Sequence, residues 1–128
     1  ISCLTLPKST DGAIQLMRHL RNGGYAGILI DQKQNEGISI PFFGHDARTT
    51  HAPAELAIRF GCPIVAARVE RLSGAHFRMT LVPFTPPNTG NRTADVATLT
   101  HTLTTQLEAW IRERPEQWLW LHNRWPKD

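Results

Sequence analysis

The stretch "YAGILI", residues 25–30, is a continuous apolar run followed at once by Asp31 and Gln32. A short run without polar alternation is the pattern of a strand buried on both faces. Upstream, Ser9, Thr10 and Asp11 offer N-cap side chains for a helix over residues 11–22. Ile14, Met17 and Leu20 share one face of that helix, and Arg18, His19 and Arg21 lie mostly off it. Gly23 and Gly24 then stop it as a C-terminal cap does. Helix, tight glycine turn and buried strand make an α/β unit.

Working outward, Gly37 to Phe43 reads as a short extended piece broken by Pro41, which has no N–H to donate to a ladder. A helix follows over residues 53–60, with Pro53 near its first position, Gly61 past its end, and Ala54, Leu56, Ala57 and Phe60 on its packing side. "CPIVAARVE" (62–70) and "AHFRMTLV" (75–82) form an antiparallel hairpin across "RLSG". In the second strand Ala75, Phe77, Met79 and Leu81 alternate with His76, Arg78 and Thr80, so it is half exposed. The last helix spans residues 93–114, carries Val96, Leu99, Leu103, Leu107, Trp110 and Ile111 as its apolar stripe, and ends at Pro115. Threonines 98, 100, 102 and 104 lower its propensity, so packing must hold it. The fold class is α/β, with a mixed β-sheet of about four strands flanked by helices.

At 128 residues the chain is one domain, 1–128, with 41% hydrophobic and 20% charged residues, as in a globular protein. A net charge of +3 favours anionic partners only weakly. Cys3 and Cys62 have the count for one bridge, but no CxxC occurs, which favours a reducing compartment. The sequence has no signal peptide and no apolar run near membrane-spanning length. It opens at Ile1 with "ISCLTLP", which reads as the end of a strand, so a longer polypeptide is expected.

Most familiar chemistry finds no support. His45 and His51, with Asp46 beside the first, match no zinc spacing and read as solvated loop residues, and no metal is expected. His19, His76 and His101 fall on water-facing positions. "GGYAG" (23–27) precedes its strand, whereas a dinucleotide loop follows one, and no G-x-S-x-G elbow occurs. The tryptophans read as packing, and basic residues do not cluster as nucleic-acid binding requires. Asp31 is the exception. It stands at the carboxyl end of a strand, where ligands of open α/β sheets bind, although an Asx-turn explains the same position.

Taken in order, "LIDQ" (29–32), "GISIPFFG" (37–44), "GCPIV" (61–65), Phe77, Leu81 and Pro83, and "PEQWLWLHNRW" (115–125) resemble the lipid A biosynthesis lauroyl/myristoyl acyltransferases of Gram-negative bacteria. The resemblance runs from about Lys8 to Lys127, and the tryptophan-rich tail is its most specific part. It implies a glycerolipid-acyltransferase-like fold, incomplete at its N-terminal side, and an enzyme at the cytoplasmic face of the inner membrane. Such an enzyme moves a fatty acyl group from acyl carrier protein to a hydroxyl of a lipid A precursor, without a cofactor. Asp31 falls on the acidic position that helps bind the acceptor in the wider family. Gln34 stands where an arginine often holds phosphate, so Lys33 or Arg48 is expected to substitute, while Gln32 is expected to hold the polar acceptor with Asp31. Phe42 and Phe43 are expected to border the acyl chain or the membrane, with core packing as the alternative.

The family's His-x4-Asp/Glu dyad, in which an acid orients a proton-accepting histidine, does not occur here. Five residues beyond His19, His45, His51, His76, His101 and His122 stand Gly24, Thr50, Leu56, Leu81, Gln106 and Lys127. No catalytic residue is therefore assigned, and the chain is expected to be the acceptor-binding C-terminal portion of a larger acyltransferase domain. The other readings are a non-catalytic module binding lipid or acyl carrier protein, and an inactive truncated fragment.

Overall fold

The computed structural model describes residues 5–7, 9–121 and 123–125. Helix α1 runs Thr10–Arg21, and the Ser9 hydroxyl accepts the Gly12 N–H at 3.1 Å. Asp11 in its first turn and Arg18, His19 and Arg21 in its last complement the helix dipole. Beyond it, residues 24–30 belong to no sheet among the described residues, so the expected strand over "YAGILI" is not formed. Tyr25 is 95% and Leu29 76% exposed, and Ile30 is the residue of this run that packs against the core. A strand buried on both faces needs neighbours on both sides, and the run has none within the described chain.

Strands β1 (Ile38–Phe42) and β2 (His45–Thr49) form a hairpin that places Phe42 opposite His45 and Ile38 opposite Thr49. Its two-residue turn, Phe43-Gly44, has positive φ at both positions (53° and 78°), which matches the twist of the strands. Pro41 is accommodated opposite Asp46 because each strand of a two-stranded ribbon has a free edge. Helix α2 (Ala52–Phe60) has Pro53 in its first turn and ends at Gly61, at φ 62°. Strands β3 (Ile64–Ser73) and β4 (His76–Phe84) pair antiparallel as anticipated, with an irregularity between Arg71 and Ser73. The fold is thus α/β, but among the described residues its four strands make two separate antiparallel ribbons instead of one mixed sheet.

Helix α3 (Arg92–Glu113) is the spine. Val96, Leu99 and Leu103 pack on Ala54 and Ala57 of α2, while Ile111, farther along, joins Phe42 and Ala47 of the first ribbon. The buried threonines donate to carbonyls one turn back, Thr100 to Val96 at 2.7 Å and Thr104 to Thr100 at 2.8 Å, so no hydroxyl is stranded in the core. Pro115–Gln117 form a 3₁₀ turn that carries the chain into its tail. Cys62 is a free thiol, and Cys3 and His122 lie outside the described residues. Among the described residues no helix is long and apolar enough to cross a membrane.

The second ribbon faces the core with the parity opposite to that expected. Register sets Ile64 against Phe84, and both pack toward α2 and α3. The row containing Phe77, Met79 and Leu81 therefore points outward, joined by Val65 and Val69, each of these five between 55 and 65% exposed. An apolar face of this kind promotes association. The double variant Met79→Lys, Leu81→Lys is expected to shift the chain toward monomer in sedimentation velocity at unchanged far-UV circular dichroism. Equal association by both proteins would remove this face as the cause.

Candidate functional site

A groove of about 980 Å³ runs between the 24–31 segment and the rest of the molecule. Consecutive residues of β3, from Ile64 to Arg68, line it, as do consecutive residues from Gly24 to Asp31. Alternation would appear if either segment presented one face, so the groove meets β3 along its free edge. Leu56, Ala57 and Phe60 of α2 and Leu103, Leu107 and Ile111 of α3 supply apolar walls. Asp31 supplies one polar group, and Arg68, Arg114, Gln117 and Trp118, near the end of α3, supply the others.

Those polar groups differ in how far they are already engaged. Arg68 donates to Glu113 Oε2 at 2.7 Å, to Glu70 Oε2 at 3.0 Å and to the Trp110 carbonyl at 3.3 Å, and lies over the Trp110 ring. Gln117 exchanges two hydrogen bonds with the Arg71 backbone, at 2.8 and 2.9 Å. By contrast, Asp31 Oδ1, Arg68 Nε and Trp118 Nε1 are buried without a hydrogen-bond partner among the described residues. A buried polar atom left unpaired costs about 1–3 kcal/mol, so three at one groove need an explanation. The Asx-turn account fails for Asp31 Oδ1, since that oxygen accepts nothing from the local backbone.

The other anticipated residues divide. Gln32 and Lys33 are exposed and lie outside the groove lining. Arg48 is exposed on β2, where its Nη1 donates to the Gly37 carbonyl at 3.0 Å and its own carbonyl accepts from Gln34 N–H at 3.3 Å. It closes the loop that follows Asp31 and does not line the groove.

Phe42 is not acyl-facing or membrane-facing as expected. Phe42 is fully buried, stacked on Trp125 at 5.5 Å and edge-on to Phe43 and Trp118, so its role is core packing. Phe43 is half-buried, with its N–H on Glu108 Oε1 at 2.6 Å and the Arg112 guanidinium 4.6 Å from its ring centre. These contacts hold a left-handed backbone that a bulky residue rarely adopts.

Sequence reasoning missed Arg124. Its side chain is 1% exposed, donating to the Arg48 carbonyl and to Thr49 Oγ1, each at 2.7 Å, with the guanidinium 5.0 Å from the Phe42 ring centre. Burial pushes its pKa below the ordinary value, and the Asp31 charge opposes that shift. A lone arginine between tryptophans carries no sequence signal for burial. No group of three His, Cys, Asp or Glu side chains is placed to hold a metal among the described residues.

No curated protein matches the chain. The sequence model of the family described as bacterial lipid A biosynthesis acyltransferase matches it over residues 5–127, which takes in the groove, the Asp31 loop and the tail through Arg124. By that match, nearly end to end, the chain belongs to the bacterial lipid A biosynthesis acyltransferase family.

Proposed function

We propose that this chain binds the acceptor in lipid A acylation, at the cytoplasmic face of the inner membrane. The acceptor is a phosphorylated sugar that already carries acyl chains, and the acyl donor is acyl carrier protein. One observation carries the reading: the carboxylate oxygen of Asp31, unpaired among the described residues, in the lining of a mainly apolar groove. A lipid with a sugar head and hydrocarbon tails needs polar and apolar walls side by side. A sugar hydroxyl donates to Asp31 Oδ1, and oxygens of the head accept from Trp118 Nε1 and Arg68 Nε. Each of these atoms is shielded from water, so engagement takes a side-chain rotation toward the groove.

In the transfer itself, the hydroxyl oxygen attacks the carbonyl of the acyl thioester borne by acyl carrier protein, the carbon–sulfur bond breaks to release the carrier's thiolate, and the hydroxyl proton passes to a base that hands it on to that thiolate. No histidine here has an acid five residues on, so that base is not assigned to this chain. On this reading the chain supplies acceptor recognition, and transfer requires a dyad from other polypeptide.

The test is equilibrium binding of a tetra-acylated glucosamine disaccharide bisphosphate to the chain in mixed micelles. Saturable binding is expected, weakened at least roughly tenfold by Gly27→Trp, which adds an indole at the groove wall. A Cβ added at Gly27 meets nothing within 4 Å, so the backbone there leaves room for a side chain to start into the groove. Equal affinity for a phospholipid without the sugar phosphate head, or indifference to Gly27→Trp, would remove the groove as the acceptor site.

A further inference from the structure

The outward face of the second ribbon is apolar across both strands. Register sets Ala67 beside Leu81, Val69 beside Met79 and Arg71 beside Phe77, on the side opposite the core-packed Ile64 and Phe84. Arg71 is the charged member of this row. Its guanidinium lies 4.9 Å from the centre of the Phe77 ring and donates to the Gly74 carbonyl at 3.0 Å, next to the hairpin tip. Acidic groups do not accompany it. From Leu56 to Ala94 the sequence has five arginines and a single acid, Glu70. Glu70 faces inward, 5% exposed and paired with Arg68 at 3.0 Å. Where α3 ends, Glu113 and Glu116 are paired with Arg68 and Arg114. The tail is tied to the same stretch of β3, since Gln117 bonds both backbone groups of Arg71, and just beyond it Leu119, Trp120 and Leu121 are exposed.

We propose that this face is the surface by which the chain lies on an anionic lipid bilayer. Its apolar side chains enter the boundary between headgroups and acyl chains, and Arg71 reaches lipid phosphate. A second copy of the chain fits the face less well. Stacking two such faces would bury two arginines against each other with no acid to pair them, whereas a bilayer supplies apolar depth and phosphate together. The ribbon lies flat, because the free edge of β4 carries N–H and C=O groups that hydrocarbon cannot satisfy, so only the side-chain layer enters. In lipid-free solution the same side chains drive self-association, with which a bilayer competes. The surface also deepens the acceptor reading, and this one consequence rests on it. Val65 and Ala67 belong to the outward row and line the groove as well. A groove whose apolar wall continues onto the bilayer admits the acceptor's hydrocarbon tails without passing them through water.

The test is partition of the full chain onto sucrose-loaded vesicles, read by co-sedimentation. Vesicles of phosphatidylethanolamine with phosphatidylglycerol are compared with vesicles of phosphatidylcholine alone. The double variant Phe77→Thr, Leu81→Thr removes apolar bulk at two exposed positions while keeping strand propensity, and should weaken partition at least roughly tenfold on both. Arg71→Gln should weaken it about fivefold on the anionic vesicles and leave the uncharged ones unaffected. Gly27→Trp should partition like the parent, because these vesicles carry no sugar phosphate. Loss of micellar acceptor binding with vesicle partition intact therefore counts against the groove alone. A double variant of unchanged circular dichroism that partitions like the parent overturns the proposal. If that variant loses structure, Arg71→Gln decides, and equal partition by it and the parent on anionic vesicles is equally fatal. A parent chain that ignores both vesicles and sediments as a dimer, which the double variant dissolves, would make the face a protein interface instead.

Discussion

Phe42→Ala is expected to destabilise the chain by about 3–5 kcal/mol, the range for truncating a fully buried aromatic ring. Phe42 is shared by several partners: Phe43, Trp118 and Trp125 pack on its ring, and Arg124 lies over its face. Its carbonyl also accepts from Trp125 Nε1 at 3.0 Å, so ring and backbone both tie the tail to the first ribbon. Removing the ring leaves a cavity walled by tryptophans that cannot collapse without moving β1 against α3. For a chain of this length the loss corresponds to a fall of roughly 10–15 °C in Tm. Leu121→Ala is the control, since that side chain is 83% exposed and its loss should shift stability by less than about 0.5 kcal/mol. Differential scanning calorimetry of both variants decides the matter. Similar Tm values would mean that the aromatic cluster does not hold the tail.

That cluster also marks where sequence alone stopped being informative. The helices were legible because each carries local punctuation: Ser9 caps α1, Pro53 and Gly61 bracket α2, and Pro115 follows α3. The β3–β4 hairpin was legible from its alternation, but not its facing. Phe77, Met79 and Leu81 compete with Val82 and Phe84 for the buried side, and only the register with Ile64 settles it. The first hairpin was hidden by its turn, since Phe43-Gly44 replaces the Asn-Gly chemistry that announces such a turn. "YAGILI" misled because an apolar run states what a segment buries, not whether a neighbour is there to bury it.

The site divides along the same physical line. Asp31 could be found because charge at the end of an apolar run is locally conspicuous. Arg124 could not, because its burial depends on Arg48 and Thr49, more than 70 residues earlier in the chain. Phe42 and Phe43 were ambiguous in kind: a buried ring and a lipid-facing ring look identical in sequence, and only packing separates them.

The second large effect belongs to Asp31. Asp31→Asn keeps the volume of the side chain and removes its charge, so the packing around Ile30 and the loop is preserved. Hydrogen bonds to charged groups contribute about 1.5–3 kcal/mol, so acceptor affinity should drop roughly 10- to 100-fold. Stability should hardly move, within about 2 °C of Tm, because Oδ1 makes no hydrogen bond among the described residues whose loss would count. The two measurements separate the two roles of a carboxylate at the end of this apolar run. A capping Asp holds the fold, so its amide variant loses Tm and binding together. An Asp that waits for a hydroxyl holds nothing until ligand arrives, so its variant loses binding alone. Micellar titration of the disaccharide bisphosphate, run beside thermal melts of the same preparations, gives both numbers. If the melting temperature falls in step with affinity, Asp31 is a structural residue and the groove has lost the one group that gave it a reason to select a sugar head.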